Sequence, residues 1–213
     1  MDNIKYTIGY LDEEESWKAT VRHKLRDQFN VILIKLEADI TNIWKQILEC
    51  NIDLLVVDFR LNDSGEVTYN GNDVVAEIRK HNNHFPIFII TSHESDAIEQ
   101  CEDIFPIRGK DLFDEEVSGD DLTHFKESIT SVIKKYRAKE ADAQQTIAEL
   151  NEKLYKEGTL SEADEETRFH AELYLQGINK DDNIHSRMLK KSYSSQLEQM
   201  IETAKAIAEA LKK

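Results

Sequence analysis

Five short runs rich in β-branched and aromatic residues, all before Leu122, alternate with segments of helical spacing, and beyond Leu122 no such run recurs. They are KYTIGYL (5–11), NVILIKL (30–36), DLLVVDF (53–59), PIFIIT (86–91) and the weaker DIFPI (103–107). Between them, Trp17, Val21 and Leu25 recur at i, i+4 and i+8; Ile40, Ile43, Trp44 and Ile47 form a second stripe, and Val74, Val75 and Ile78 a third. The weakest helical segment, Ser95 to Cys101, offers only Ala97 and Ile98. Strand and helix in alternation predict a parallel sheet covered on both faces, because a parallel crossover needs a helix's length of chain. A continuous apolar strand such as LLVV fits burial on both sides. The predicted fold class is therefore α/β, a doubly wound five-stranded parallel sheet, followed by an all-helical C-terminal extension.

In that extension, Phe125, Ile129, Val132, Tyr136, Ala143, Ile147, Leu150 and Leu154 are spaced mostly by three and four. The pattern predicts one long helix with a heptad-like seam that is interrupted at Glu140. Gly158 supplies a stop, and Ser161 with Asp164 resembles a capping box that opens a second helix over Ser161 to Gln176, ending at Gly177. After the loop INKDDN, a third helix is expected from Ile184 onward, with Leu197, Met200, Ala204, Ile207 and Leu211 on one face. The expected organisation is an α/β domain over 1–122, a connecting helix over 123–158 and a helical module over 159–213. A helix of that length outreaches the sheet, so its second half needs another apolar face. The third helix offers one within the chain. Two chains sharing both stripes in a four-helix bundle would bury more, and a homodimer is the expectation.

Charge separates the same two regions. Residues 1–122 carry 12 Lys and Arg against 26 Asp and Glu, whereas residues 123–213 carry 15 against 16. The total of -15 repels polyanions, so nucleic acid is not expected as a principal partner. With 7 Gly and 2 Pro, a turn-rich all-β architecture is disfavoured. Cys50 and Cys101 form neither a CxxC motif nor a Cys/His cluster, which indicates no zinc site and a reducing compartment. The acidic N-terminus lacks an apolar signal core, and no apolar run approaches about 18 residues, so a cytoplasmic chain without membrane spans is expected.

In an open parallel sheet, ligands bind outside the carboxyl ends of the strands. There the first run ends in Asp12 and Glu13, the third in Asp58 and the fourth in Thr91 and Ser92, and Lys110 follows the fifth. Three carboxylates at one edge repel unless a cation sits among them, which implies a hard divalent ion. Acids, hydroxyl and lysine at one edge suit attack by a carboxylate on a phosphoryl group, with the remaining groups absorbing charge on its oxygens.

Taken together and in order, YLDEEES, LLVVDFRL, NGNDVVAEIRK, PIFIITSHES and IRGKD resemble the receiver domain of two-component response regulators over roughly residues 4 to 135. The resemblance implies a flavodoxin-like strand order. It implies that Asp58 accepts a phosphoryl group from a histidine kinase or phosphotransfer protein, and that Asp12, Glu13, Asp58 and the backbone carbonyl of Arg60 hold Mg²⁺. Thr91 corresponds to the switch hydroxyl and Lys110 to the lysine that contacts a phosphoryl oxygen. Such a protein is a switch that catalyses only its own phosphorylation and dephosphorylation. Several positions depart from the family pattern. Glu13 stands where Asp is usual, and Asp111 where proline commonly follows the lysine. Ile107 occupies the place of the switch aromatic, with Phe105 out of register, and the loop from Phe59 to Asn70 is longer than typical. The departures at Glu13, Ile107 and Asp111 favour an alternative, a receiver-like scaffold that is not phosphorylated; a phosphate sink or relay intermediate is a further alternative within signalling. Glu14 and Glu15 read as first-turn acids favourable to the helix dipole, Trp17 and Trp44 as core, and His170 and His185 as surface residues.

Overall fold

The computed structural model describes residues 5–92, 107–114 and 119–179. Its elements are β1 (Thr7–Leu11), α1 (Glu15–Leu25), β2 (Asn30–Leu33), α2 (Thr41–Glu49), β3 (Leu54–Asp58), α3 (Gly71–His81), β4 (Ile87–Thr91), β5 (Ile107–Gly109), a 3-10 turn (Lys110–Phe113), α4 (Gly119–Glu157) and α5 (Glu162–Ile178). The five strands form one sheet, all parallel, in the order β2-β1-β3-β4-β5. This is the flavodoxin-like, doubly wound order, whose ligand crevice lies at the carboxyl ends of β1 and β3 where the winding reverses.

Both faces are covered, as continuous apolar strands require. On one face Leu11, Leu55, Val57 and Ile89 pack with Ile43, Ile47, Val74 and Ile78 of α2 and α3; Trp44 joins this core and stacks on His81. On the other face Ile8, Tyr10, Val56 and Phe88 pack with Val21 and Leu25 of α1 and with Phe125, Ile129 and Ile133 of α4. Phe125 meets Phe88 and Phe113 edge to face, with ring centroids 5.5 and 5.8 Å away.

Four predicted strands are present with their ends trimmed by one to three residues. The fifth is described over Ile107–Gly109, two residues past the end of the predicted run, whose residues 103–106 lie outside the described residues. Arg108 and Gly109 are poor strand formers that pair because β4 offers a free edge, with Thr91 opposite Gly109. The predicted helix near Ser95–Cys101 and the third tail helix also lie outside the described residues.

α4 is a single helix of 39 residues, about 58 Å at 1.5 Å per residue. It passes Glu140 without a break and ends at Gly158, whose φ of +77° is the left-handed stop that glycine tolerates. The compact units of the chain, Met1–Asp142 and Ala143–Lys213, divide inside this helix. In the second unit, Ser161 caps α5 by accepting from Asp164 N–H at 3.2 Å, while Asp164 returns the contact to Ser161 N–H at 3.3 Å. α5 continues past Gly177 to Ile178, one turn position further than glycine's weak propensity predicts, and both residues are buried.

Candidate functional site

β1 and β3 are adjacent, so the residues that end them meet. Asp12 is fully buried, Asp58 is 4% exposed, and Lys110, at the start of the turn after β5, is 3% exposed. Lys110 Nζ lies 2.9 Å from Asp12 Oδ2 and 3.2 Å from Asp58 Oδ1. One lysine thus bridges two buried carboxylates. The ring of Trp17, on the first turns of α1, has its centroid 5.4 Å from the same nitrogen and packs at the border of the core.

The two aspartates are held differently. Asp12 Oδ1 accepts Glu14 N–H at 2.9 Å, and its Oδ2 accepts from both Lys110 and the hydroxyl of Tyr10. Tyr10 is buried, and burial with the Asp12 charge beside it raises its pKa well above the usual phenolic value, so it stays a donor. Sequence reasoning missed Tyr10. The available signal was strand alternation, which puts residues 10 and 12 on the same face. Asp58 is governed by burial, which pushes its carboxyl up to about 7; Lys110 opposes the shift and the Asp12 charge adds to it. Gly71 keeps the adjacent backbone in place, since a Cβ there would lie 2.3 Å from the Asp58 carbonyl oxygen, and its N–H donates to Phe59 O at 2.9 Å.

Thr91 ends β4, is 1% exposed, and with Ser92, Lys110 and Asp111 lines an open cleft of about 430 Å³. Glu13 does not join Asp12 and Asp58. Its Oε2 accepts Ser64 N–H at 2.6 Å, tying it to the loop after β3. That loop is anchored by buried Leu61, Val67 and Tyr69, with Tyr69 donating to Glu37 O at 2.7 Å, while Arg60 reaches Asp63 at 3.8 Å. Ile107 packs against the core beside α2 and α3, and no aromatic ring occupies its position; Phe105 lies outside the described residues.

Two buried carboxylates without His or Cys are donors suited to a small hard cation, which commonly takes one or two carboxylates and keeps its waters. Among the described residues, no three His, Cys, Asp or Glu side chains converge as a cation-holding group. The arrangement therefore supplies a desolvated carboxylate held by a fixed lysine charge, and that lysine lines a cleft together with the Thr91 hydroxyl.

No protein-family model and no curated protein matches the chain. Many solved structures do, and many of them are response regulator receiver domains. A receiver domain protein from Clostridium thermocellum is 21% identical and aligns over 62% of this chain and 98% of its own, with a TM-score of 0.45. A receiver protein from Sinorhizobium medicae WSM419 is 18% identical over 62% of this chain and 97% of its own, with a TM-score of 0.46. The Mn(2+)-bound form of response regulator Rcp1 is 17% identical over 59% and 92%, with a TM-score of 0.40. The helical C-terminal region has no assignment. At such identities, function has to be read from this chain's own residues.

Proposed function

We propose that the chain is a two-component response regulator whose receiver accepts a phosphoryl group on Asp58 from a histidine kinase or phosphotransfer protein. The supporting observation is the buried lysine bridge from Asp12 to Asp58 at the switch crevice, with Thr91 and the open cleft beside it. An Asp58 oxygen forms the new bond to phosphorus while the donor's P–N or P–O bond breaks, and the leaving nitrogen or oxygen takes a proton from water. Hydrolysis later returns Asp58 and inorganic phosphate. Lys110 holds a phosphoryl oxygen by a charge-assisted bond, and the Thr91 hydroxyl donates to another. Asp12, Asp58 and the Arg60 carbonyl would hold Mg²⁺, and Glu13 would join them only if released from Ser64. Bound there, Mg²⁺ supplies positive charge that favours ionised Asp58 and neutralises the phosphoryl oxygens.

Incubation with acetyl phosphate and Mg²⁺ should add the mass of one phosphoryl group, and Asp58→Asn or chelator should abolish the gain. Labelling that survives either change overturns the assignment. Two features favour a second reading, a receiver-like scaffold that is not phosphorylated: Glu13 is engaged by Ser64, and burial pushes the Asp58 carboxyl up, which disfavours its ionised, nucleophilic form. A chain that takes no label from acetyl phosphate or from any kinase would establish it.

Output passes through the C-terminal helices as a homodimer or a contact with another protein. Ile147, Leu150 and Leu154 are only half-buried, and Phe169 and Leu173, one turn apart on α5, are 54% and 53% exposed. Sedimentation equilibrium should report about twice 24.7 kDa, and a monomer at micromolar concentration would refute the dimer. No helix among the described residues is long and apolar enough to cross a membrane. We place the protein in the cytoplasm, where the exposed thiol of Cys50 would stay reduced.

A further inference from the structure

A second concentration of charge, of opposite sign to the crevice, lies along the edge of the sheet. Lys5, Lys18, Arg22, His23 and Arg26 line an open cleft of about 720 Å³ whose other wall is β2. Lys18 is engaged by Glu15 at 2.7 Å, and Lys5 donates to Arg26 O at 2.9 Å. The guanidinium groups of Arg22 and Arg26 are exposed and make no hydrogen bond or ion pair among the described residues. This basic strip stands in a region where residues 1–122 carry 26 acids against 12 bases, so the rest of that surface does not attract what the strip attracts.

The wall opposite the arginines is an open strand edge. Among the described residues, β2 ends the sheet and pairs only with β1. Asn30 N–H donates to Tyr6 O and Ile34 N–H to Tyr10 O, each at 2.9 Å, so Val31 and Leu33 turn their N–H and C=O groups away from the sheet. The open stretch stops at Lys35, whose N–H and C=O are taken by the Gln46 side chain at 3.0 and 3.1 Å.

We propose that this cleft docks an extended acidic segment of a partner protein, which adds a strand beside β2 and sets its carboxylates on Arg22 and Arg26. An extended peptide brings the backbone groups that Val31 and Leu33 can pair, and alternate carboxylates bring the charge that guanidinium groups bind in bidentate fashion. A nucleic acid fits less well. The basic strip from Lys18 to Arg26 spans about 12 Å along α1, and Glu15 and Asp27 close it at both ends. Backbone phosphates beyond the first few would meet acids. The docking surface goes beyond the phosphorylation reading and does not depend on Asp58.

The test uses the full chain and a fluorescein-labelled peptide of about ten residues alternating Glu and Thr, read by anisotropy at about 0.15 M salt. The acidic peptide should bind, and a version with Gln for Glu should bind roughly tenfold more weakly. Arg22→Glu with Arg26→Glu should weaken binding by about tenfold or more, with the milder pair Arg22→Gln and Arg26→Gln in between. In the parent, saturation with peptide should slow amide exchange at Val31 and Leu33. Binding that ignores the Glu-to-Gln change, or that leaves both amides exchanging as in the free chain, would overturn the proposal. So would a single-stranded oligonucleotide of equal length that binds as tightly as the peptide.

Discussion

Two aspartates, one in each compact unit, each meet a lysine and are driven in opposite directions. In the α/β unit, Asp58 lies 3.2 Å from Lys110, and burial pushes its carboxyl up to about 7. In the helical unit, Asp164 lies 2.6 Å from Lys153, and the hydrogen bonds from Lys153 and Ser161 hold it down to about 2. The ion pairs look alike; their surroundings do not. Lys110 is 3% exposed and Lys153 is 39% exposed, so the first pair gives up hydration that the second keeps. Chemistry resides where hydration has been given up. A carboxylate that neither water nor a single lysine fully satisfies is the one poised to gain from a cation or a phosphoryl group.

Removing each lysine tests that contrast most strongly. Lys110→Ala leaves two buried carboxylates without a counter-charge, and urea denaturation at pH 8 should show a loss of roughly 3 to 5 kcal/mol. Lys153→Ala breaks a solvated pair and should leave the denaturation midpoint unchanged within error. Equal effects from the two would collapse the distinction.

The glycines offer a second comparison of somewhat smaller size. Gly71→Ala drives a methyl group against the Asp58 carbonyl, within 2.3 Å, and should cost about 3 kcal/mol while also displacing the site. Gly158→Ala meets nothing within 4 Å, and only its φ of +77° opposes the change, at about 1 to 2 kcal/mol. Thermal melts of both variants, with acetyl phosphate labelling of the first, would separate packing from backbone strain.

Dependence on pH sharpens the contrast with a gentler perturbation. Asp58 has a folded pKa near 7, above its ordinary 3.8, so its contribution favours folding below about pH 4 and is lost as pH rises to about 7. Asp58→Asn, measured in chelator, should therefore stabilise the chain more at pH 8 than at pH 5; a constant increment would show that the carboxyl is not held neutral by burial. The smallest effect belongs to Asp164, whose pKa is depressed. Its contribution is present above about pH 4 and fades as pH falls through about 2, so the first turn of α5 should fray only in strong acid. Amide signals of the capping box followed from pH 5 to pH 2 would check this, and fraying already at pH 4 would contradict it.

The α/β layout, the long helix, its glycine stop and the Ser161 cap are legible in the order of amino acids, because each is set by local periodicity or by residues a few positions apart. That order also marked Asp12, Asp58, Thr91 and Lys110, since strand ends in a parallel sheet fall at one edge whatever the details of packing. Arg108 and Gly109 of β5 escape the sequence pattern because they have little strand character of their own and pair only because β4 presents a partner. The tertiary structure alone decided which carboxylates meet. Neighbouring strands and burial joined Asp12 to Asp58 through one lysine and added Tyr10 beneath them, whereas a loop 51 residues further along the chain drew Glu13 to Ser64. The pKa of Asp58 likewise belongs to no local pattern: it arises from desolvation, and desolvation exists only once both faces of the sheet are covered.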